Sequence, residues 1–352
     1  MSYDYKEIVP FLLNWFDYNA RILPWRENPR PYYVWISEIM LQQTRVEAVK
    51  EYFYRFTEAI PDIETLAHIE DEKLMKLWEG LGYYNRARNL KKAARLVMSD
   101  YDGELPSDYK ELLKLPGIGA YTAGAIASIA FGLPEAAIDG NALRIAKRIA
   151  GSLEDITKES VKKELAEDFK RVLPKDRPGD FNQALMDLGA MICLPNGRPL
   201  CEQCPVMHLC QAYHKDMVMQ IPVKPPRKER RIEKRTILLM EFQDRYLIHK
   251  REPKGLLAGL WELPGIEGEW SAAKLRKGLE GKGITIASME SLGSAKHIFS
   301  HLEWHMMGYH VRIQELPMEF LHDNAYVMAD GMELKSVYTL PSAFSAYTKG
   351  LW

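Results

Sequence analysis

The stretch Leu115–Asn141, LPGIGAYTAGAIASIAFGLPEAAIDGN, joins three features that together decide the architecture. Pro116, Gly117 and Gly119 separate two helical patterns, and glycines there let the backbone turn with its N–H groups outward, as a phosphate-cradling turn requires. From Ala120 to Phe131 the side chains are small and apolar on nearly every side, without a charge, which predicts a helix buried in a domain centre. A turn at Gly132, Leu133 and Pro134 then leads through Ile138-Asp139-Gly140-Asn141 into a second helical pattern from Leu143 to Ile149. Asp139 therefore stands at or just before a helix N-terminus, where backbone donors and the helix dipole favour the anion. A plain N-cap would occupy the same place.

This run, followed by DGN, resembles the helix-hairpin-helix module of the DNA glycosylases and, within that superfamily, the adenine glycosylases of the MutY type. The likeness extends over nearly the whole chain. It implies an all-α helix-hairpin-helix DNA glycosylase domain over residues 1–217, with the hairpin at about 110–131 and an iron–sulfur loop at 193–210. A basic, proline-containing linker at 218–232 and an α+β Nudix-like domain at 233–352 would follow.

Composition bounds this reading without leading to it. At 352 residues the chain has room for about two domains. Hydrophobic residues make up 47% and charged residues 27%, as in soluble globular proteins, and no run of about 18 apolar residues suggests a membrane span. The net charge of −1 means that any affinity for nucleic acid has to come from local basic patches. The chain opens without a signal-peptide pattern, and its four cysteines all fall between 193 and 210, which points to one metal site in a reducing compartment. With the resemblance, the expectation is a monomer in a bacterial cytoplasm, associated with the nucleoid and acting on duplex DNA.

From Tyr5 to Tyr18 apolar residues recur at helical spacing and open a helical domain. The loop RILPWR that follows is rich in large and charged groups; the resemblance implies that Arg21, Leu23, Trp25 and Arg26 line a base pocket, although a Trp anchoring a loop would look alike. In WISEIMLQQTRV, Glu38 lies close to an otherwise apolar face, where desolvation raises a carboxyl pKa toward the range of a general acid. The resemblance makes Glu38 the catalytic acid and puts Leu41, Gln42 and Gln43 on the substrate and DNA side. In LWEGLGYYNRAR a glycine-flexed turn carries aromatics and arginines; the resemblance implies that Tyr83 wedges into the base stack, and the arginines are expected to hold phosphate. Helical patterns from Ser160 to Leu173 and from Phe181 to Cys193 complete the domain, the latter contributing Gln183 to the implied substrate contacts.

Cys193, Cys201, Cys204 and Cys210 form the pattern C-x7-C-x2-C-x5-C. Zinc ribbons usually use two close pairs and here only one exists, so an iron–sulfur cluster suits the compact loop better. The resembled family carries a 4Fe–4S cluster with one residue fewer in the first gap, which puts the additional residue in the Pro195-Asn196-Gly197 turn. Beyond the linker, alternation from Thr236 to Phe242 and from Tyr246 to His249 predicts strands. LLAGLWELPG resembles the entry to the Nudix fold, yet Leu275–Gly283 lacks the glutamates that would hold magnesium, so this domain reads as a recognition relative. Lys296–Trp304 matches the damaged-base loop of the resembled family, with Phe299, Ser300 and His301 as contacts; by itself it would pass for a strand.

The function implied is excision of adenine mispaired with 8-oxoguanine or guanine, with Glu38 and Asp139 catalytic and Tyr121 and Asn141 supporting them. A glycosylase/lyase resembling endonuclease III would need a Schiff-base lysine where Tyr121 stands. A non-catalytic iron–sulfur DNA-binding module would need neither carboxylate.

Overall fold

The computed structural model describes residues 3–226, 229–323 and 325–351; Arg227 and Lys228 of the expected linker lie outside the described residues. The chain forms two compact units, one from Met1–His68 with Asn85–Pro226, the other from Ile69–Tyr84 with Arg227–Trp352.

The first unit is helical. Its core gathers Leu12, Phe16, Ile149, Phe169, Phe181 and Leu188. Asp4 caps the opening turn, which starts as a 3-10 segment at Tyr5–Glu7 before the α-helix Ile8–Asn19. The hairpin consists of the short helix Tyr109–Leu112, the turn and the helix Ala120–Phe131. Within the turn Gly117 has φ 82°, and a Cβ there would come within 2.8 Å of Asn89 Cβ, so both conformation and space call for glycine. Gly119, by contrast, is extended and serves as the N-cap of the second helix, whose first N–H groups face outward at the turn. The helices Glu159–Val172 and Pro178–Met191 follow the predicted spacing, but the second begins at Pro178, a residue pre-organised for a first turn, and stops before Cys193.

The segment expected to be a tether is ordered where described. Ile221 is buried in the first unit, and Val223 bridges Asp155. Arg231 and Ile232 already belong to a strand.

The second unit holds a seven-stranded sheet: β1 (Arg231–Phe242), β2 (Arg245–Lys250), β3 (Trp261–Glu262), β4 (Gly265–Glu267), β5 (Thr285–Ile298), β6 (Leu302–Glu315) and β7 (Tyr326–Ala329). The order is β3-β2-β1-β6-β5, with β4 also on β1 and β7 also on β2. β1 and β6 run parallel, from Arg231 opposite Leu302 to Glu241 opposite Arg312. Both faces of β1 are covered, Ile237 and Leu239 on one core and Leu238 and Met240 on the other, which is why its middle reads as an unbroken apolar run. The helix Ala272–Glu280 buries Leu275 and Leu279 against the second core, and Arg276 pairs with Glu280.

Residues Ile69–Tyr84 belong to this unit although they interrupt the helical one in sequence. Glu72 pairs with Lys250 Nζ at 2.5 Å and accepts from Trp261 Nε1 at 3.0 Å. Lys76 donates to the carbonyls of Leu334 and Tyr338, both at 3.1 Å, and Glu79 accepts from the Leu340 N–H at 2.9 Å. Among the described residues no helix is long and apolar enough to cross a membrane.

Candidate active site

Glu38 lies on the helix Pro31–Leu41, whose residues Val34 to Met40 are all buried, so the carboxyl is 3% exposed. The phenol of Tyr121, in the first turn of Ala120–Phe131, donates to Glu38 Oε2 at 2.5 Å. Burial dominates the Glu38 equilibrium; the Tyr121 hydrogen bond lowers it, nearby Asp139 raises it and Arg26 lowers it, leaving the carboxyl up at about 7. Burial, then the charges of Glu38 and Asp139, hold the Tyr121 phenol well above its ordinary value, so it remains a donor.

Asp139 is the N-cap of Gly140–Ala150 and a neighbour of Glu38 at once. Its Oδ1 accepts from the Ala142 N–H at 2.7 Å and its Oδ2 from Asn141 Nδ2 at 2.8 Å. Burial raises its pKa, opposed by the backbone N–H groups of Ala142 and Asn141, the Arg144 charge and the Asn141 amide. Glu38 has one hydrogen bond, from the phenol, and the Arg26 charge to support its anion, whereas Asp139 has several donors and a cation. Of the two, the proton belongs on Glu38 and the charge on Asp139.

Asn141 is oriented in turn by Arg144, whose Nη2 donates to Asn141 Oδ1 and to the Gly189 carbonyl, both at 2.9 Å, while its Nε donates to the Cys193 carbonyl at 2.9 Å. A Cβ on Gly189 would lie 2.6 Å from Asn141 Cβ, so this close approach of the helix Pro178–Met191 needs glycine. Sequence reading missed Arg144. Its signal was a cation at a position where the surrounding helix, Ala142 to Ile149, is wholly buried.

One cavity of about 190 Å³ collects Arg21, Leu23, Trp25, Arg26, Glu38, Leu41, Tyr121, Asp139, Asn141 and Gln183. Trp25 is both lining and anchor, 5% exposed and edge-on to Phe53 at 5.4 Å. Arg21 and Arg26 are fastened to Asp187, which sequence reading also missed. Gln42, Gln43, Gly117 and Gly119 lie outside the cavity. Gln42 Nε2 reaches Thr122 Oγ1 at 3.4 Å, and Gln43 sits at φ 60°, a left-handed conformation that a side chain other than glycine seldom adopts without a local reason.

Arg86 is not the phosphate ligand expected. Its Nη1 donates to the carbonyls of Ile39, Met40 and Gln42 at 2.6, 3.0 and 2.8 Å, capping the end of the Glu38 helix, whose last carbonyls lack partners within the helix.

Cys193, Cys201, Cys204 and Cys210 line a common hollow together with Ile145, Arg148 and Val206. All four are free thiols, Arg148 Nη1 lies 3.2 Å from Cys193 Sγ, and the loop turns at Gly197 with φ 74°. The four thiols share the wall of this one hollow.

In the second unit Tyr83, at φ 46°, places its hydroxyl 3.3 Å from Ser300 Oγ. Phe299, Ser300 and His301 form the turn between β5 and β6, closed by the Phe299 N–H on the Leu302 carbonyl at 2.9 Å. The stretch Lys296–Trp304 is thus two strand ends with a tight loop between them. Phe299 is fixed edge-on to buried Trp304 at 4.9 Å, leaving Ser300 and His301 exposed at the tip.

Residues 36–171 match the profile of the HhH-GPD superfamily of base excision DNA repair proteins, and residues 235–348 match that of the NUDIX domain. The chain is 34% identical to the adenine DNA glycosylase of Mus musculus, over 89% of this chain and 73% of that protein. It is 33% identical to that of Buchnera aphidicola subsp. Schizaphis graminum, over 84% of this chain and 85% of that protein. Among solved structures, a thermostable thymine-DNA glycosylase aligns with 34% identity and TM-score 0.54, over 60% of this chain and 96% of that one. A trapped endonuclease III–DNA covalent intermediate aligns with 28% identity and TM-score 0.52, over 60% and 98%. A helical unit with paired carboxyls in one cavity, a second unit built on a sheet and relatives matching across both assign the chain to the adenine DNA glycosylases, enzymes of base excision repair that remove adenine from DNA.

Proposed function

We propose that the enzyme acts on adenine opposite 8-oxoguanine, and opposite guanine, as a monofunctional glycosylase in the bacterial nucleoid. The observation that carries the mechanism is the Glu38–Tyr121 pair beside Asp139 in one cavity. An adenine in duplex is unreachable, so the nucleotide is flipped into this cavity while Tyr83 wedges into the stack. Glu38 gives its proton to adenine N7 as the N-glycosidic bond breaks and the bonding electrons leave with the base. Asp139 stabilises the oxocarbenium or forms a covalent intermediate with it, and water completes hydrolysis, a division of labour like that of two-carboxylate glycosidases. Asn141 orients Asp139, and the Tyr121 phenol cannot form a Schiff base. The four cysteines would hold a 4Fe–4S cluster that fastens the loop after the helix Pro178–Met191. The test is incubation with a duplex bearing one 8-oxoguanine·adenine pair: strand breaks should follow only after alkali, and borohydride should trap no adduct. Breaks without alkali would instead indicate lyase chemistry.

Two expectations follow from the same residues. Glu38 has to be protonated, so single-turnover base release should be full below about pH 7 and fall as pH rises through it. Asp139 has to be ionised, so release should also fall on the acid side, at a pH above the ordinary carboxylate range because burial raises its pKa. A flat profile across roughly pH 5 to 9 would remove both roles.

Guanine N7 becomes a donor on oxidation, and Ser300 offers an acceptor at the loop tip. Replacing Ser300 and His301 together with alanine should reduce the preference for 8-oxoguanine·adenine over guanine·adenine by about 1–3 kcal/mol, measured as a ratio of single-turnover rates. An unchanged ratio would move discrimination elsewhere.

Purified protein should be yellow-brown and contain iron, and replacing Cys204 with serine should bleach it. One equivalent of zinc without iron would exclude the cluster.

A further inference from the structure

Both carboxylate oxygens of Asp187 are used twice over. It is 0% exposed and lies on the helix Pro178–Met191, four residues after Gln183, so the two share a face. Its Oδ1 accepts from Arg21 Nε at 2.8 Å and Arg26 Nη2 at 2.9 Å, and its Oδ2 from the Arg21 N–H at 2.9 Å and Arg26 Nη1 at 2.7 Å. Arg26 Nη1 also reaches the Arg21 carbonyl at 3.2 Å, which closes the loop onto itself. Burial pushes the Asp187 carboxyl up, but the Arg26 hydrogen bonds and charge and the Arg21 contacts prevail, holding it below the ordinary carboxylate range. Asp187 does not line the cavity; both of its arginines do.

We propose that Asp187 is a positioning residue of the base pocket: as shared counter-ion it fixes the Arg21 and Arg26 guanidiniums at the rim and keeps the Arg26 charge from drawing the proton off Glu38. The inference rests on reading Glu38 as the acid. The groups around Glu38 support it. Tyr121 comes from the helix Ala120–Phe131, and Asp139, backed by Arg144, from the head of Gly140–Ala150. Arg86, from Asn85–Asp100, is committed to the carbonyls at the end of the Glu38 helix. Arg26, from Pro24–Glu27, is the cation that acts on Glu38, in the direction of ionisation. Pairing with Asp187 offsets part of the arginine's charge as seen from the acid. Removing that pairing leaves an uncompensated cation in the wall of the same cavity as a group that has to hold its proton, and a nearby opposite charge lowers a carboxyl pKa.

The test is the alkaline limb of the pH profile for single-turnover base release, first in the parent and in Glu38→Gln. A parent limb near pH 7 that Glu38→Gln abolishes supports the acid assignment; a parent without it overturns that assignment, whatever Asp187 does. Given the limb, Asp187→Asn should move it down by about one unit, so that release near pH 8 falls about fivefold more than release near pH 6. Asp187→Glu, which keeps the charge, should leave the limb in place even if the rate drops. The double variant Asp187→Asn/Arg26→Gln removes both charges and should return the limb to the parent position or above. It also carries the test if Asp187→Asn alone does not fold, since losing both partners of a buried pair is tolerated better than losing one. A uniform loss of rate at every pH in Asp187→Asn, or a double variant whose limb stays below the parent's, would overturn the inference.

Discussion

Glu38→Gln is expected to slow base release by about 10³-fold while leaving duplex binding nearly unchanged. Glutamine keeps the shape and still accepts from Tyr121, so the cavity survives, but it has no proton to give to the leaving base. Protonation is an interaction of the transition state and not of the bound substrate, so the loss should fall on the single-turnover rate and not on affinity. Asp139→Asn should lower the rate by about 10²–10³-fold for the complementary reason, since a neutral amide cannot compensate the developing sugar cation. Its cap to Ala142 can be kept by the amide oxygen, so the helix should remain. The losses should not add in the double variant, because the two groups serve one step. Near-parental rates in either single variant would indicate that the pair is structural.

The same substitution at Glu38 should make the protein more stable, and increasingly so as pH rises. The folded carboxyl titrates at about 7, against 4.5 for the free group. Between those values the unfolded chain has released a proton that the folded chain still holds, so stability falls with rising pH and levels off above about 7. A separation of this size corresponds to about 3 kcal/mol in favour of the unfolded chain at pH 8, which glutamine does not incur. Below about pH 4.5 both chains hold the proton and the difference should vanish. Melting temperatures of parent and Glu38→Gln, compared at several pH values, provide the check; a gap independent of pH would show that the carboxyl is not strained by burial. Together the two results would describe an active-site residue retained against stability.

The places of Glu38 and Asp139 were legible locally, a lone carboxylate in an apolar helix and an acid before a helix start, whereas their roles and Tyr121 came from the resemblance. Asp187 and Arg144 were not. The partners of Asp187 lie 161 and 166 residues away, and a helical pattern shows a buried carboxylate without showing what neutralises it. Arg86 was misread for a related reason: an arginine beside a glycine turn looks exposed until the helix end it caps is in place. Arg231 and Ile232 read as tether because the cations around them outweighed any alternation, yet backbone pairing with β6 makes them strand, and Arg231 pairs with Glu233 along it. The sheet interior, with Ile237 to Met240 apolar on both faces, left no such ambiguity.

The allocation of Ile69–Tyr84 to the sheet-bearing unit bears on how such a chain is taken apart or recombined. The polypeptide passes between its two units at His68/Ile69, at Tyr84/Asn85 and again at Pro226/Arg227, so the tether is only one of three seams. A chimera cut at the tether alone would orphan Glu72, Lys76 and Glu79, whose partners Lys250, Trp261, Leu334, Tyr338 and Leu340 would leave with the discarded half. A faithful transplant has to carry the sixteen-residue insert with its host, and Tyr83 travels inside it.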